Sequence, residues 1–211
     1  MKAFIYTGGA IYPENITEHP KGDDIRIAAD AGVLNAKRLG ERIDVALGDF
    51  DSLRDRVSEI QKDVERVTVP AEKDETDTQL AVNEALGRGA DELVIIGGLD
   101  GRLDHTLSNM AILEAMWEHK IPTVITNGQN RIRYIRSTST LIARSGYKYL
   151  SVIAADDTVK GVSIEGCKYP LENARLSRKF QYTVSNEIAC NCALISVKKG
   201  GIYIIESRDL T

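Results

Sequence analysis

Leu93–Glu118 reads LVIIGGLDGRLDHTLSNMAILEAMWE, and the fold is decided in this stretch. Leu93–Ile96 is an unbroken apolar run rich in β-branched residues, the pattern of a strand buried on both faces. Gly97, Gly98 and Gly101 follow as a turn. Asp104–Glu118 then places Leu107, Met110, Leu113 and Trp117 at helical spacing. Lys120–Pro122 closes that helix, and Thr123–Ile125 opens another strand. A strand, a glycine turn, a helix and a strand in this order form a βαβ unit, which requires a parallel sheet.

The same alternation extends towards the N-terminus. Ala3–Tyr6, Ile25–Ala29, Val45–Leu47 and Arg66–Val69 read as strands. Ala31–Leu39 carries Val33, Ala36 and Leu39 on one side, and Thr76–Leu86 carries Leu80, Val82 and Leu86 near one stripe. The expectation is an α/β domain with a doubly wound, mostly parallel sheet. From about residue 130 the texture changes. Arg131–Ile135, Tyr149–Ala154, Val159–Ile164, Tyr182–Val184, Cys190–Lys198 and Ile202–Glu206 are strand-like, with turn signals at Asp156–Asp157, Gly166 and Gly200–Gly201. No helical stretch interrupts them. The predicted organisation is an α/β domain over 1–130 and an all-β sandwich over 131–211.

A chain of 211 residues is long enough for two modest cores. Its formal net charge of −4 gives no electrostatic footprint for nucleic acid. Cys167, Cys190 and Cys192 are odd in number and lack a framework spacing, which argues against a disulfide-stapled secreted protein. With His19, His105 and His119 scattered, no zinc quartet is visible. No apolar run approaches the ~18 residues that span a bilayer, and the first residues lack the features of a secretory leader. A cytoplasmic protein with no membrane partner is expected.

In an open parallel sheet, ligands bind beyond the carboxyl ends of the strands. Acidic residues recur at those ends: Asp30 after IRIAA, GDFDS (Gly48–Ser52) after VAL, EKDETD (Glu72–Asp77), and GGLDGRLDH (Gly97–His105) after LVII. Carboxylates gathered on one rim repel unless a cation or basic group lies among them. Asp49 and Asp51 stand two apart, so an extended segment turns both to one side, fit to share magnesium. Asp74 and Asp77 sit at a helix start, where they either cap it or join the metal. Thr76 is an N-cap or a donor to phosphate, and Asp104 a cap or a member of the acid set. Gly97, Gly98 and Gly101 let the backbone approach a ligand, and with Arg102 and a helix N-terminus they suit a triphosphate. Lys73 adds a point charge. His105 reads as a polar residue at the helix start. There is no P-loop, no dinucleotide fingerprint and no nucleophilic triad. An acidic rim with basic clamps and no protein nucleophile points to direct phosphoryl-type transfer.

ADAG (Ala29–Gly32), GDFDS, KDETD (Lys73–Asp77) and GGLDGRLDH, followed by GCKYPL (Gly166–Leu171) and SNE (Ser185–Glu187), occur in order over nearly the whole chain. In this the sequence resembles the thiamine pyrophosphokinase (thiamine diphosphokinase) family. The resemblance implies transfer of pyrophosphate from ATP to the thiamine hydroxyl, leaving AMP, by a homodimer with active sites at the subunit interface. It implies magnesium on Asp49, Asp51, Asp77 and Asp104. It assigns catalysis to Asp51, Asp77, Asp104 and Arg102, and ATP contacts to Asp30, Lys73, Thr76, Gly98 and Arg102. It also implies thiamine contacts from Tyr169, Ser185 and Asn186. The chain departs from the family at Ala31, commonly glycine, and at Tyr169, tryptophan in some members. The rival readings are a pyrophosphokinase for another hydroxymethyl heterocycle, such as a pterin, and a non-catalytic thiamine- or nucleotide-binding protein.

Overall fold

The computed structural model describes residues 1–50, 63–69 and 74–210. The chain divides into two compact units, Met1–Gly128 and Gln129–Thr211.

The first unit contains strands β1 (Lys2–Tyr6), β2 (Ile25–Ala29), β3 (Val45–Gly48), β4 (Glu65–Thr68), β5 (Glu92–Ile96) and β6 (Thr123–Thr126). Its helices are α1 (Gly32–Arg38), α2 (Asp77–Gly87) and α3 (Leu103–Glu118). The strands run in the order β4-β3-β2-β1-β5-β6, and every pairing is parallel. β1 is central: Ile5 lies opposite Ile27 on one side and Ile95 on the other. The chain builds outward from β1 through β2 to β4, then returns to the other side of β1 with β5. That reversal opens a crevice between the carboxyl ends of β1 and β5, the place where such sheets bind ligands.

Alternation along the strands divides the core. Phe4 and Tyr6 of β1, Ala28, Ala46, Val94 and Ile96 pack with Val33 and Ala36 of α1. Gly32 lets α1 start hard against β1, because a Cβ there would lie 1.9 Å from the Tyr6 carbonyl oxygen. The buried faces of the other helices differ from the stripes expected from sequence. α2 buries Thr78, Ala81, Val82 and Ala85, leaving Leu80 and Leu86 at its flanks. Its alanines let the helix lie close to β1–β3. α3 buries Asn109, Ile112, Leu113 and Met116, while Leu107 is 58% exposed. A 3.6-residue period fits two neighbouring stripes on this helix, and its docking on the sheet selects between them.

The second unit is antiparallel throughout. Strands β7 (Asn130–Arg136), β13 (Gly201–Ser207) and β9 (Tyr149–Ala154) form one sheet. Strands β11 (Leu171–Ser177), β10 (Thr158–Glu165), β12 (Cys192–Ser196) and β8 (Ser139–Ala143) form the other. Leu150, Val152, Ile202 and Ile204 from the first, with Ile142, Val162, Ala193 and Ile195 from the second, are buried. The fold class expected from sequence, a parallel α/β domain followed by a β-sandwich, is the one found. β8 and β11 were not read from sequence, because their burial does not follow a clean alternation: each buries a single residue, Ile142 or Leu176. The strand expected at Tyr182–Val184 does not form. That segment bonds to β9 only at intervals, with Val152 N–H on Thr183 O at 2.8 Å and Leu150 N–H on Asn186 O at 2.8 Å. Ser185, at φ 57°, then turns the chain out of the ladder. All three cysteines are free. Among the described residues no helix is long and apolar enough to cross a membrane.

Glu206, only 1% exposed, is enclosed by cations. Arg131 donates to it through Nε at 2.8 Å and Nη2 at 2.6 Å, Arg133 through Nη2 at 3.0 Å, and Ser145 Oγ at 2.9 Å. Removing one partner of a buried ion pair strands the other charge, at a cost of roughly 3–5 kcal/mol. Glu206→Gln is therefore expected to lose about that much stability in denaturant unfolding; a loss within 1 kcal/mol would rule the ion pair out as a stabilising contact. Tyr6 presents the opposite case. Burial pushes its phenol well above the ordinary tyrosine range, and among the described residues its hydroxyl has no hydrogen-bond partner. A buried unmade hydrogen bond costs about 1–3 kcal/mol, so Tyr6→Phe should leave the protein as stable or more stable, read as an unchanged or raised Tm.

Candidate functional site

At the crevice, two glycine loops meet backbone to backbone. Beyond β1, Thr7 N–H continues the sheet ladder to Ile96 O at 2.9 Å, and Gly8 and Gly9 follow. Beyond β5, Gly97 N–H reaches Thr126 O at 2.8 Å, and Gly98 N–H reaches Gly8 O at 3.2 Å. Gly97 sits at φ 101°, and a Cβ there would come within 2.7 Å of Thr7 Oγ1 and 2.8 Å of Thr7 O. Only glycine fits. Two buried asparagines brace the loops. Asn35 of α1 donates through Nδ2 to Thr7 O at 2.7 Å and to Gly9 O at 2.9 Å. Asn109 of α3 donates to Gly98 O at 3.0 Å.

The crevice holds a cavity of about 380 Å³. Its walls come from four places in the chain: Thr7–Gly9, Asp30 with Ala31, Glu75 to Thr78, and the loop from Gly98 to Arg102 with His105 and Asn109. Asp30, Thr76, Asp77, Gly98 and Arg102, all singled out from sequence, thus face one space. Asp30 occupies the left-handed region at φ 47°. It is held there by its own N–H on Leu47 O at 2.8 Å, and by Gly48, where a Cβ would crowd the Asp30 Cα at 3.2 Å. Such a conformation costs a non-glycine residue about 1–3 kcal/mol and concentrates at functional sites. Phe50, at φ 60°, is a second case one strand away.

Thr76 is the N-cap of α2, its hydroxyl oxygen accepting from Gln79 N–H at 3.2 Å. The capping reading therefore holds, and the hydroxyl hydrogen is still available to a ligand oxygen. Asp77 is the first helical residue, where negative charge suits the helix dipole. Asp104 does not line the cavity. It pairs with Arg102 at 2.6 and 3.2 Å and accepts His105 N–H at 2.9 Å. The Arg102 hydrogen bond holds its carboxyl below the usual aspartate range. Asp49, partly buried, also lies off the lining. Asp51 and Lys73 lie outside the described residues. Among the described residues, no group of three or more histidine, cysteine or acidic side chains is close enough to hold a metal. The cavity's acids, Asp30, Glu75, Asp77 and Asp100, are nonetheless hard oxygen donors of the kind magnesium takes.

Sequence reasoning missed Thr7–Gly9, Asn35 and Asn109. The glycine pair directly after the first strand was a usable signal. The asparagines gave none, because a polar residue inside a helix reads as solvent-facing until the helix is docked.

In the second unit, the GCKYPL and SNE segments come together. Asn186, 6% exposed, clasps the backbone of Tyr169: its Oδ1 accepts Tyr169 N–H at 3.0 Å and its Nδ2 donates to Tyr169 O at 2.7 Å. The same Oδ1 accepts Glu187 N–H at 2.9 Å. Asn186 thus spends its amide on the chain, and the Tyr169 ring stands 60% exposed, with Lys168 Nζ 5.5 Å from its centroid. Ser185, exposed on the neighbouring segment, has its N–H bound to Ser151 Oγ at 3.0 Å.

Two family models match the chain in succession. Residues 17–125 match the thiamin pyrophosphokinase catalytic domain, and residues 138–202 match the thiamin pyrophosphokinase vitamin B1 binding domain. The thiamine pyrophosphokinase of Bacillus subtilis is 29% identical over 198 residues, covering 92% of each chain. The crystal structure of thiamine pyrophosphokinase from Bacillus subtilis superposes with a TM-score of 0.89 at 27% identity, covering 100% of both chains. That of thiamin pyrophosphokinase from Geobacillus thermodenitrificans superposes at 0.86 with 29% identity, covering 100% of this chain and 99% of that one. With both models matched in order and a ligand cavity at the switch point of the first unit's sheet, the chain belongs to the thiamin pyrophosphokinase family.

Proposed function

We propose that this chain transfers the β,γ-pyrophosphoryl group of ATP to the hydroxyl of thiamine, giving thiamine diphosphate and AMP. The observation that carries the reading is a cavity at the ends of β1 and β5, where Asp30, Thr76, Asp77, Gly98 and Arg102 converge from separate loops. A triphosphate laid there meets glycine backbone, the Thr76 hydroxyl and the Arg102 guanidinium. Arg102 exchanges its Asp104 partner for phosphate oxygens, which match its planar fork equally well. The thiamine oxygen then bonds to the β-phosphorus as the bond to the AMP oxygen breaks. The hydroxyl proton passes to a rim carboxylate, Asp77 or Asp104.

Magnesium on Asp49, Asp51, Asp77 and Asp104 would supply charge neutralisation for the polyphosphate. The acid-rich lining of Asp30, Glu75, Asp77 and Asp100 supports a divalent cation in the cavity, because ATP would otherwise meet bare carboxylates there, and of the four assigned residues it is Asp77 that faces it. Lys73 adds a further positive charge for the nucleotide. On the acceptor side, Tyr169 offers an exposed flat ring to a cationic heterocycle, Ser185 adds a hydroxyl, and Asn186 holds the Tyr169 backbone. In this reading the working form is a cytoplasmic homodimer, each protomer completing the thiamine site of its partner.

The test is release of AMP from ATP by the purified chain. It should require both thiamine and magnesium and stop when a chelator removes the metal. Equal turnover with a hydroxymethylpterin would transfer the assignment to a broader pyrophosphokinase, and binding without AMP release would leave only a binding protein. Losing one charge-stabilising donor typically costs ~10²–10³ in turnover. Arg102→Ala and Asp77→Asn should each fall in that range in steady-state assays with the Tm unchanged. Turnover within threefold of the parent would remove that residue from the machinery.

A further inference from the structure

The asparagines bracing the crevice do more than fill the core. Asn35 is 4% exposed and Asn109 3% exposed, and each directs its amide nitrogen at backbone carbonyls of the glycine loops rather than at side chains. In a trans peptide the N–H points opposite to the preceding C=O. With Thr7 O drawn onto Asn35, the Gly8 N–H is turned away from α1. Gly8 lines the cavity, and among the described residues its N–H makes no hydrogen bond. The Gly8 carbonyl is fixed as well, by Gly98 N–H at 3.2 Å, and Gly98 is in turn fixed by Asn109. Asn35 therefore sets the Thr7–Gly8 peptide plane directly, and Asn109, through Gly98, braces the Gly8–Gly9 peptide that follows it.

We infer that Asn35 and Asn109 are positioning residues that aim the Gly8 amide into the cavity as a donor to an oxygen of the ATP polyphosphate. This rests on the phosphotransfer reading for the identity of the ligand, but the anion donor itself can be tested separately. An amide held in place before the ligand arrives needs no reorganisation when the anion binds, which is where such donors gain their strength. Asn35 stands behind the cavity wall, and Asn109 borders the cavity with its amide nitrogen spent on Gly98 O. Their effect is expected in nucleotide affinity, not on the acceptor side.

The first measurement uses the full-length protein labelled with ¹⁵N-glycine. The Gly8 resonance is identified by its loss in Gly8→Ala, a change with room, since the added Cβ would find Ala31 Cβ at 3.5 Å. On addition of inorganic pyrophosphate with magnesium, the Gly8 amide proton should move downfield and saturate. A Gly8 resonance that stays put at saturating pyrophosphate overturns the inference. The second uses the near-isosteric Asn35→Asp and Asn109→Asp, which replace the donating amide with an acceptor. Each should raise KM for ATP by roughly tenfold or more, the usual range for a hydrogen bond to a charged group, with KM for thiamine unchanged. Folded variants with an unaltered KM for ATP, or with kcat alone reduced, overturn it. If either variant fails to fold, the Gly8 shift in the parent protein decides. Absence of thiamine-dependent AMP release in the parent would defeat the pyrophosphokinase reading alone, because the pyrophosphate response of Gly8 stands or falls without it.

Discussion

The first unit depends on one close approach: the backbone of Gly97 against that of Thr7. A side chain at Gly97 would collide with Thr7 Oγ1 at 2.7 Å, so the loops after β1 and β5 can adjoin only with glycine there. Their adjacency is what makes the crevice narrow and backbone-lined. Gly32, pressed on the Tyr6 carbonyl, brings α1 to the same place from below. Strand order, helix start and cavity wall are therefore one constraint seen from three sides.

Around that scaffold, charge is arranged for exchange instead of rest. Arg102 and Asp104 satisfy each other on the surface, 74% and 64% exposed. Exposed pairs of this kind contribute about 0–1 kcal/mol, so the guanidinium can be surrendered to a better-matched anion at little cost. Glu206 in the second unit shows the contrast. Its carboxylate is enclosed by Arg131 and Arg133, with Tyr147 stacked under the Arg131 guanidinium at 4.8 Å. That group is committed to the fold, and the two surface segments carrying Tyr169 and Ser185 belong to the same unit.

Two residues with left-handed backbone lie on the acidic side of the first unit's sheet. Asp30 and Phe50 occupy left-handed conformations just beyond β2 and β3, Asp30 in the cavity wall and Phe50 directly after Asp49 in the chain. The interiors of both strands are regular. The buried registers of Ile27 on Val45 and Ala28 on Ala46 hold the two strands from which these residues turn.

Much of this was legible from residues alone. Runs such as LVII, helices between them, and acids at successive strand ends are local patterns, fixed by side-chain period and by the permissiveness of glycine. They determined the fold class, the order of elements in the first unit and the rim on which Asp30, Thr76, Asp77, Gly98 and Arg102 would meet. What only the tertiary structure decided involves partners distant in the chain. Thr7 bonds Ile96 across 89 positions, Asn35 bonds Gly9 across 26, and Asn186 clasps Tyr169 across 17. Which stripe α3 buries, which asparagine is structural and which carboxylate an arginine neutralises are settled by such contacts, because burial and hydrogen bonding depend on what lies opposite, and a sequence shows only what lies beside.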